Sequence, residues 1–350
     1  MKISLLNDSH FGVKNGSDIF LNYQERFFAE VFFPHCIENN IKRIIHLGDF
    51  YEHRKYINIK VLNRIRTFFI EKLREYGMTM DIIPGNHCVY YKNSNALNSL
   101  TESLECHKDV ITVHMEPIVN DYDGLPIALL PWITSDNYVQ SLEFVKNANA
   151  PILAAHLELQ GFEMMKGAPV MSHGMGVDLF NRYEMVLTGH YHTKSTKGNI
   201  FYLGTQFELS WSDANDPKYF HVLDTSTREL TPIRNPITLF NKLIYNDNPK
   251  QHLVDLKGTF VKIIVASKKD AKHFDSFANR VSRQSPFDMK IIESHNEFAG
   301  DAISDDSISL VDTGSLLNSY VDATETDLDK ERIKTHLHEL YLEAQASDAL

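Results

Sequence analysis

The chain has few cysteines, no long apolar run and no phosphate-binding loop, and each shortage excludes a class of protein. Its three cysteines, Cys36, Cys88 and Cys106, are an odd number without CxxC spacing, which favours reduced thiols in a cytoplasm. No apolar stretch reaches the roughly 18 residues that a membrane helix needs, and residues 1–7 are typical of a strand, not of a signal peptide. No GxxxxGK[ST] loop occurs, so any ATP hydrolysis is expected to come from another chain. The sequence predicts a cytoplasmic protein with no membrane partner.

The chain is acidic, but its acidity is concentrated at one end. The net charge is −11 at pH 7. Residues 301–350 contain 12 acidic and 3 basic side chains, a balance of −9, whereas the first 300 residues contain 34 and 32, a balance of −2. The overall charge therefore does not exclude a polyanionic substrate.

The spacing of apolar residues predicts an α/β fold. Strands and helices alternate as far as Gly189, and beyond it the pattern is typical of strands alone. Alternation followed by strands predicts two packed β-sheets flanked by helices. The segments on which this prediction depends include strands at Lys2–Asn7, Arg43–Leu47, Met78–Ile83, Ile152–Ala155 and Met185–Leu187, and helices at Ile19–Asn40 and Asn58–Tyr76.

A chain of 350 residues is too long for one ordinary core, so several segments are predicted. They are a main domain over 1–238, a small domain over 239–295, an acidic linker over 296–312 and a helical tail over 313–350. The small domain is predicted as a βαβ unit, and the last tail helix carries an apolar face that needs a partner to cover it. The βαβ elements are Phe260–Val265, Lys268–Arg283 and Met289–Glu293, and the apolar face is formed by Ile333, Leu337, Leu340 and Ala344.

Polar clusters follow the predicted strands in order through the first two-thirds of the chain. Open α/β sheets bind ligands at strand ends, so these side chains are expected to lie together. They offer oxygen and nitrogen donors without cysteine, which favours two hard or borderline metal ions and metal-assisted hydrolysis. The clusters are Asp8-Ser9-His10, Gly48-Asp49, Gly85-Asn86-His87, His156 and Gly189-His190-Tyr191-His192.

The order DxH…GD…GNH…H…GHxH resembles the calcineurin-like metallophosphoesterase superfamily. Within it the chain is similar to the SbcD-type nuclease subunits of double-strand-break repair complexes, and most of all to the small exonuclease subunits encoded by some bacteriophages. The segments that carry this closer resemblance are His156-Leu-Glu-Leu-Gln-Gly-Phe, Met171-Ser-His-Gly, Gly189-His-Tyr-His-Thr and Asn215-Asp-Pro. The resemblance implies a four-layer sandwich of two sheets and outer helices, with residues 239–295 as a capping domain that contacts DNA.

The resemblance also implies a site for two Mn²⁺ ions, with Mg²⁺ as an alternative. It implies a first shell formed by Asp8, His10, Asp49 and His192 and a second formed by Asp49, Asn86, His156 and His190. Two such ions lower the pKa of a nucleophilic water and stabilise both oxygens of an in-line displacement. His87 would then be the catalytic residue that protonates or stabilises the leaving oxygen.

The residue after His87 departs from the family pattern. Most of the superfamily has Asp or Glu there, where it orients the catalytic histidine, whereas this chain has Cys88. Glu52 and Glu158 are alternative partners for His87, and Cys88→Asp is expected to preserve or raise activity.

Several residues have both a functional and a structural interpretation. His53, Arg54 and His173 are candidates for substrate binding, although His53 and Arg54 equally suit a solvated loop. The predicted helix at 268–283 is basic and is a candidate DNA contact. Trp132 and Trp211 are expected to be core or hinge residues, not platforms for base stacking.

The function predicted by the resemblance is an exonuclease on double-stranded DNA and an endonuclease on single-stranded DNA, acting in an SbcCD-like complex in recombination, repair or degradation. It implies a coiled-coil ATPase partner on the C-terminal helices and a homodimer within a heterotetramer. The helix Asn58–Tyr76 is a candidate dimer surface, although its apolar face equally suits the core. The alternatives are another phosphatase or phosphodiesterase of the superfamily, and an inactive metal-binding scaffold.

Overall fold

The computed structural model describes residues 1–164, 170–172, 174–293, 321, 329–330 and 332–334. Met1–His295 is one compact unit and Asn296–Leu350 is a second. The predicted linker (296–312) and nearly all of the predicted tail (313–350) lie outside the described residues. The predicted boundary between residues 238 and 239 stays a prediction.

Two six-stranded sheets form the body of the first unit. The first has the order β14-β13-β1-β2-β3-β6 and the second the order β11-β12-β10-β9-β8-β7. Four adjacent strands of each sheet run parallel, and antiparallel strands complete the edges. The strands are β1 Lys2–Leu6, β2 Arg43–His46, β3 Thr79–Ile82, β4 Val89–Tyr91, β5 Ser94–Asn98, β6 Ile111–Val113, β7 Ile118–Tyr122, β8 Leu125–Leu130, β9 Ile152–His156, β10 Met185–Gly189, β11 Ser195–Lys197, β12 Ile200–Tyr202, β13 Tyr219–Asp224 and β14 Leu230–Arg234, with β4 and β5 as a separate hairpin.

The two sheets pack face to face with helices outside them. Ile3 and Leu5 of β1 meet Ile152 and Ala154 of β9 in the core between the sheets. The outer face of the first sheet is covered by an aromatic core, and that of the second by the helix Tyr138–Asn147. The predicted α/β class with packed sheets and flanking helices is confirmed, because each sheet buries one face against the other and one face against helices.

Two long helices cover the first sheet, and each is interrupted by one wider, π-type turn. The turns at Phe28–Phe32 and Arg66–Ile70 rotate successive phenylalanines into the same core. In the second helix the apolar face is buried, so the structure favours core over a dimer surface for that face. The helices are α1 Val13–Gly16, α2 Asp18–Phe27, α3 Phe33–Glu38, α4 Ile59–Ile65, α5 Glu71–Glu75, α6 Ser99–Leu104, α7 Tyr138–Asn147 and α8 Ala271–Ser282, with short 3₁₀ turns at Glu105–His107, Val177–Phe180 and Trp211–Asp213. None of the helices in the described part is long and apolar enough to cross a lipid bilayer.

A third, three-stranded parallel sheet follows the body. Its strands are β15 Phe240–Asn246, β16 Phe260–Ser267 and β17 Asp288–Glu293, and α8 packs on one face through a small core of its own. The predicted βαβ unit corresponds to β16, α8 and β17, and β15 adds a strand that the apolar spacing did not reveal. Its role as a capping domain stays a prediction.

Candidate metal centre

The predicted ligands lie at the carboxyl ends of five parallel strands. β1, β2 and β3 of the first sheet and β9 and β10 of the second sheet all end at the same edge of the sandwich. The polar clusters follow directly after these strands or occupy their last residues. Parallel strands end at one edge, so five sequence segments up to 182 residues apart meet in one place.

Three groups of side chains are close enough to share an ion. They are Asp8 with His10 and His192, His10 with Asp49 and His87, and Asp49 with His156 and His190. Within each group the candidate ligand atoms lie within 4.8 Å of one another. Asp49 belongs to two of the groups, as a bridging carboxylate would.

The amide of Asn86 adjoins the group formed by Asp49, His156 and His190. Its Oδ1 lies 3.0 Å from Nε2 of His156 and 2.9 Å from Nδ1 of His190. Nε2 of His156 is 3.4 Å from Oδ2 of Asp49. The structure therefore brings together all seven residues predicted as ligands. Their assignment to metal shells is a proposal.

Three glycines allow the ligand loops to approach one another. A Cβ atom on Gly85 would overlap Oδ1 of Asp49 and lie 2.6 Å from its backbone nitrogen. A Cβ on Gly48 would lie 2.7 Å from Nδ1 of His156, and one on Gly189 would lie 2.8 Å from Oδ2 of Asp8. Real Cβ atoms do not approach other atoms this closely. Packing therefore requires glycine at positions 48, 85 and 189, directly before the predicted ligands Asp49, Asn86 and His190.

Four predicted ligands have a left-handed backbone conformation that side chains other than glycine rarely adopt. The φ angles are 47° for Asp8, 44° for His10, 51° for Asp49 and 91° for His190. Such conformations cost about 1–3 kcal/mol each and occur where the surrounding structure imposes them, often at functional sites. The strain here coincides with the four residues that turn away from their strands into the cluster.

Burial and neighbouring charge divide the histidines into two kinds. Burial alone would lower the pKa of His10, but the hydrogen bond to Glu52 and the charges of Asp49 and Asp8 raise it to about 9. Burial and the neighbouring His156 lower the pKa of His190 to about 3. Burial and the charge of His10 lower the pKa of His192 to about 4. His190 and His192 are therefore neutral bases, the form in which imidazole binds a metal.

Two carboxylates of the cluster, Asp49 and Glu52, are held in the ionised form. Burial opposes ionisation of Asp49, but the charges of His156 and His87 hold its pKa well below its ordinary value. Burial likewise opposes ionisation of Glu52, yet its hydrogen bond and ion pair with His10 lower its pKa to about 2. Asp49 and Glu52 are thus negative charges held inside the protein, which a cation would stabilise.

The orientation of the buried side chains fits a divalent cation. Nδ1 of His156 lies 2.7 Å from the carbonyl oxygen of Leu47, to which it donates a proton, so Nε2 is left as the ligand atom. Nε2 of His10 is buried without a hydrogen-bond partner in the described part of the chain and lies 3.8 Å from oxygens of both Asp8 and Asp49. An ion between these atoms would satisfy all of them, and oxygen and imidazole donors suit Mn²⁺ or Mg²⁺ more than soft metals.

His87 is positioned by Asp49 and by Glu52. Its backbone N–H donates to Oδ1 of Asp49 at 2.7 Å, and its Nδ1 lies 2.6 Å from the backbone carbonyl oxygen of Glu52. The carboxylate of Glu52 is used elsewhere, at 2.7 Å from Nδ1 of His10. Of the two partners predicted for His87, Glu52 does contact it, but through its main chain.

Further residues brace the ligand loops, and sequence reasoning gave them no role in the site. The buried Lys218 pairs with Asp213 at 2.7 Å and Asp216 at 2.9 Å and donates to the carbonyl oxygen of His192 at 3.1 Å. Nε2 of the buried His46 lies 2.8 Å from the hydroxyl oxygen of Ser9, the residue between the predicted ligands Asp8 and His10. For Lys218, the signal available in the sequence was its position directly after Asn215-Asp216-Pro217.

The predicted substrate contacts are not part of the ligand groups. His53 stacks on Tyr56 at 4.5 Å and lines a cavity of about 210 Å³. Arg54 lines another cavity, of about 390 Å³. His173 lies outside the described residues. The substrate-binding roles of all three stay predictions.

Trp132 and Trp211 are only partly buried. Trp132 lies beside the ligand histidines, with its ring 5.7 Å from His156 and 5.3 Å from His190. Trp211 packs on Phe240 of the third sheet at 4.9 Å. The expectation of a hinge position suits Trp211 more than Trp132.

Solved structures with a similar fold include the following three, each of low sequence identity. An archaeal phosphodiesterase is 14% identical with a TM-score of 0.34, covering 67% of this chain and all of that one. A hypothetical protein of Thermus thermophilus is 11% identical with a TM-score of 0.36, covering 67% and 99%. The purple acid phosphatase PPD1 of yellow lupin (Lupinus luteus) is 11% identical with a TM-score of 0.35, covering 66% and 52%.

Comparison of sequences is more informative. No family model matches the chain. Exonuclease subunit 1 of Enterobacteria phage T4 is 32% identical over 349 residues, which cover 98% of this chain and 99% of that protein. At this identity over nearly the whole of both sequences, the chain belongs to the family of phage exonuclease subunit 1, which confirms the bacteriophage branch predicted from its motifs.

Proposed function

We propose that this protein is a metal-dependent DNA nuclease that uses two Mn²⁺ ions, with Mg²⁺ as an alternative. The observation that carries the proposal is the convergence of seven oxygen and nitrogen donors at one edge of the sandwich, with Asp49 shared by two of the ligand groups. The relative of phage T4 is named an exonuclease subunit, which supports DNA as the substrate. Divalent ions in such a site polarise the phosphate and lower the pKa of a nucleophilic water.

The two ions would be held by separate sets of side chains that share one carboxylate. Asp8, His10 and His192 would hold the first together with Asp49, and Asn86, His156 and His190 would hold the second together with Asp49. His10 must lose a proton before it binds an ion, and Glu52 accepts the remaining N–H at Nδ1. The buried shell fixes each ligand before any ion binds, so little rearrangement is needed.

His87 is the proposed acid of the reaction. Its ring packs edge-on against His10, with the centroids 4.8 Å apart, and it is only partly buried. Since Nδ1 is held by the carbonyl oxygen of Glu52, Nε2 is the nitrogen left to donate a proton to the leaving oxygen. A positioned acid of this kind contributes roughly 10²–10⁴-fold to the rate.

A row of three lysines on the third sheet supports a polyanionic substrate. Lys242, Lys262 and Lys290 are direct neighbours in the register of β15, β16 and β17, so they share one face, about 4.8 Å apart from strand to strand. Like charges placed side by side destabilise a sheet. The ammonium of Lys262 lies over the ring of Trp211, 4.2 Å from its centroid. Burial, together with the charges of Lys242 and Lys290, lowers the pKa of Lys262. A DNA backbone would relieve this repulsion.

The predicted basic helix is less available to DNA. Lys268 pairs with Glu293 at 2.7 Å, and Arg280 donates to the carbonyl oxygens of Pro249 and Gln251. The proposed DNA surface of residues 239–295 is therefore the lysine row and not α8.

The remaining parts of the proposal concern assembly. The relative is named a subunit, which supports a partner. We expect a coiled-coil ATPase on the helical tail (313–350), a homodimer within a heterotetramer, and action in a cytoplasm on both double-stranded ends and single strands. The three cysteines form no disulfide, which suits a reducing compartment.

The function is tested by giving the purified chain and Mn²⁺ to linear double-stranded DNA, circular single-stranded DNA and a small phosphodiester. We expect nucleotide release from the linear duplex and nicking of the circle, both lost in Asp49→Asn and after chelation. Cleavage of the small phosphodiester alone would favour the rival phosphodiesterase. Metal binding without any cleavage, even with the ATPase partner present, would favour the scaffold.

The DNA surface is tested separately. Triple replacement of Lys242, Lys262 and Lys290 by Ala should reduce the slope of log K against log salt by roughly 2–3, since each duplex phosphate contact contributes about 0.9. The matched control replaces Lys268, Lys269 and Lys272 of the basic segment. A larger decrease of this slope in the control would assign DNA binding to the basic segment instead.

A further inference from the structure

A cavity of about 430 Å³ lies directly beside the proposed metal centre. His156, one of the seven predicted ligands, lines it. Apolar and aromatic side chains, including Trp132, Tyr138 and Met175, form part of the wall, and Lys92, Asn93 and Glu158 add polar groups. Its volume is in the range of small-molecule sites, which are lined in this way by apolar groups with a few polar ones. None of the predicted roles makes use of this cavity.

Trp132 is held firmly at the wall of this cavity. Its backbone N–H donates to the carbonyl oxygen of Pro84 at 2.9 Å, two residues before the predicted ligand Asn86. Its carbonyl oxygen accepts from the side-chain amides of Asn95 at 2.8 Å and Asn137 at 3.0 Å. Three hydrogen bonds thus fix the backbone from which the indole projects.

The indole is placed between the ligands and the open cavity. Its centroid lies 5.7 Å from that of His156 and 5.3 Å from that of His190, with interplanar angles of 73° and 44°. An aromatic ring in van der Waals range of two ligand imidazoles lies within one nucleotide of any phosphate bound between them. Trp132 is partly exposed and lines the cavity, so part of its side chain is open to that space.

We propose that this cavity binds one nucleoside flanking the scissile phosphate and that Trp132 stacks on its base. This inference rests on the proposed nuclease function and adds a positioning residue to it. Base–aromatic stacking is tolerant of sequence, because every base has a π-face, and this suits a nuclease that degrades DNA of any sequence. Lys92 and Asn93 at the polar part of the wall suit the sugar and the adjoining phosphate.

The number of tryptophans makes direct observation straightforward. The chain has two, Trp132 and Trp211, so Trp211→Phe leaves Trp132 as the sole indole, and Trp132→Phe is the matched control. With Mn²⁺ present, we expect deoxyadenosine monophosphate to quench Trp132 fluorescence saturably. Deoxyribose 5-phosphate, which has no base, should leave it unchanged, and the fluorescence of Trp211 in the control should not respond.

Kinetics test whether the stacking positions the substrate. We expect Trp132→Ala to raise KM for linear DNA by about tenfold or more, since stacking of a base on an aromatic ring has an effect of this order. Trp132→Phe should restore most of the affinity. An abasic nucleotide on one side of the scissile phosphate removes the base and should weaken DNA binding by the wild-type protein by a similar factor. The same abasic nucleotide should weaken DNA binding by Trp132→Ala much less. Such non-additivity identifies a direct contact.

The outcomes separate this inference from the proposed function. If wild-type protein cleaves DNA but dAMP does not quench Trp132 at concentrations that inhibit cleavage, the stacking proposal is overturned and the nuclease function stands. The stacking proposal would also be overturned if abasic nucleotides, tested on each side of the scissile phosphate, weakened DNA binding by Trp132→Ala as much as DNA binding by the wild-type protein. If Trp132→Ala loses Mn²⁺ affinity in calorimetry to the same extent as DNA affinity, the indole supports the ligands and does not bind the base. Absence of cleavage by wild-type protein would overturn the nuclease function itself.

Discussion

The backbone carbonyl oxygen of Glu52 lies 2.6 Å from Nδ1 of His87. In the superfamily pattern a carboxylate after GNH orients the catalytic histidine, and this chain has Cys88 in its place. A main-chain acceptor fixes the tautomer and the ring orientation without adding charge. The thiol is not needed for this purpose, and its burial raises the pKa of Cys88 to about 12, so it is neutral.

The first prediction concerns Cys88. Cys88→Ala should retain most of kcat, because Glu52 and not the thiol holds His87, and should cost about 1 kcal/mol of stability for the small cavity that it leaves. The measurements are steady-state cleavage of linear DNA and denaturant unfolding. A loss of kcat with normal stability would show that the thiol has a chemical role.

The structure revises the expectation for Cys88→Asp. Cys88 is fully buried next to Asp49, and a second carboxylate there would be a buried like charge that costs several kcal/mol when unpaired. We now expect Cys88→Asp to lower thermal stability in metal-free protein. Stability equal to that of wild type, with activity preserved, would favour the original expectation.

The second prediction separates acid catalysis from metal binding. His87→Gln should reduce kcat by about 10²–10⁴-fold, since the proton donor is lost, while Mn²⁺ still binds to the seven other side chains. Cleavage assays and calorimetric titration of Mn²⁺ provide the two readouts. His273→Ala, at an exposed histidine of α8, is the control. Equal losses of Mn²⁺ affinity and of kcat in His87→Gln would make His87 a ligand.

The third prediction uses two glycines with different surroundings. Gly85→Ala should lower Mn²⁺ affinity by about 10–100-fold, the usual effect of disturbing groups that orient ligands, because the new methyl group would displace Asp49. Gly176→Ala is the matched control, since a Cβ there meets no atom within 4 Å and its φ is ordinary. If both variants bind Mn²⁺ like wild type, the close packing of Gly85 on Asp49 does not control the site.

The convergence of the seven candidate ligands could be predicted from sequence because each is local to a strand end. Asp8, Asp49 and Asn86 follow apolar strands within a few residues, and parallel strands must end at one edge. The partners that orient them could not be predicted. The carbonyl oxygens of Leu47 and Glu52 carry no side-chain signature, and their contacts with His156 and His87 join segments 109 and 35 residues apart.

The fold, like the site, could be predicted from the sequence only in part. The central strands and the two long helices of the body follow from apolar periodicity. The hairpin of β4 and β5, the edge strands β7 and β11, the helices α6 and α7, and β15 escaped prediction. β15 shows why. Its sequence over Phe240–Asn246, Phe-Asn-Lys-Leu-Ile-Tyr-Asn, lacks a regular alternation of apolar and polar residues and lies next to a stretch typical of a domain boundary. It becomes a strand because β16 offers a parallel edge, so the deciding contact is tertiary. Trp132 was assigned to a core or hinge for a related reason, since its proximity to His156 depends on how the second sheet meets the first.

The last prediction concerns pH and a histidine of β13 that lies outside the ligand set. Burial, with a smaller effect of Lys194, lowers the pKa of His221 to about 3, and its Nδ1 has no hydrogen-bond partner in the described part of the chain. The unfolded chain has an ordinary pKa near 6.5 for this group. Between these values the unfolded state binds more protons than the folded state, so stability falls as pH falls below about 6.5.

His221→Phe removes this proton linkage while filling the same volume. The contribution of one such histidine approaches about 1.4 kcal/mol for each pH unit. The free energy of unfolding of wild type should therefore fall more steeply from pH 6 to pH 5 than that of His221→Phe. Urea unfolding of metal-free protein at pH 7, 6 and 5 measures the difference, with His273→Ala as a control at an exposed position. Parallel curves for wild type and His221→Phe would show that His221 is hydrated or paired in solution, because only a buried neutral imidazole couples folding to acid in this way.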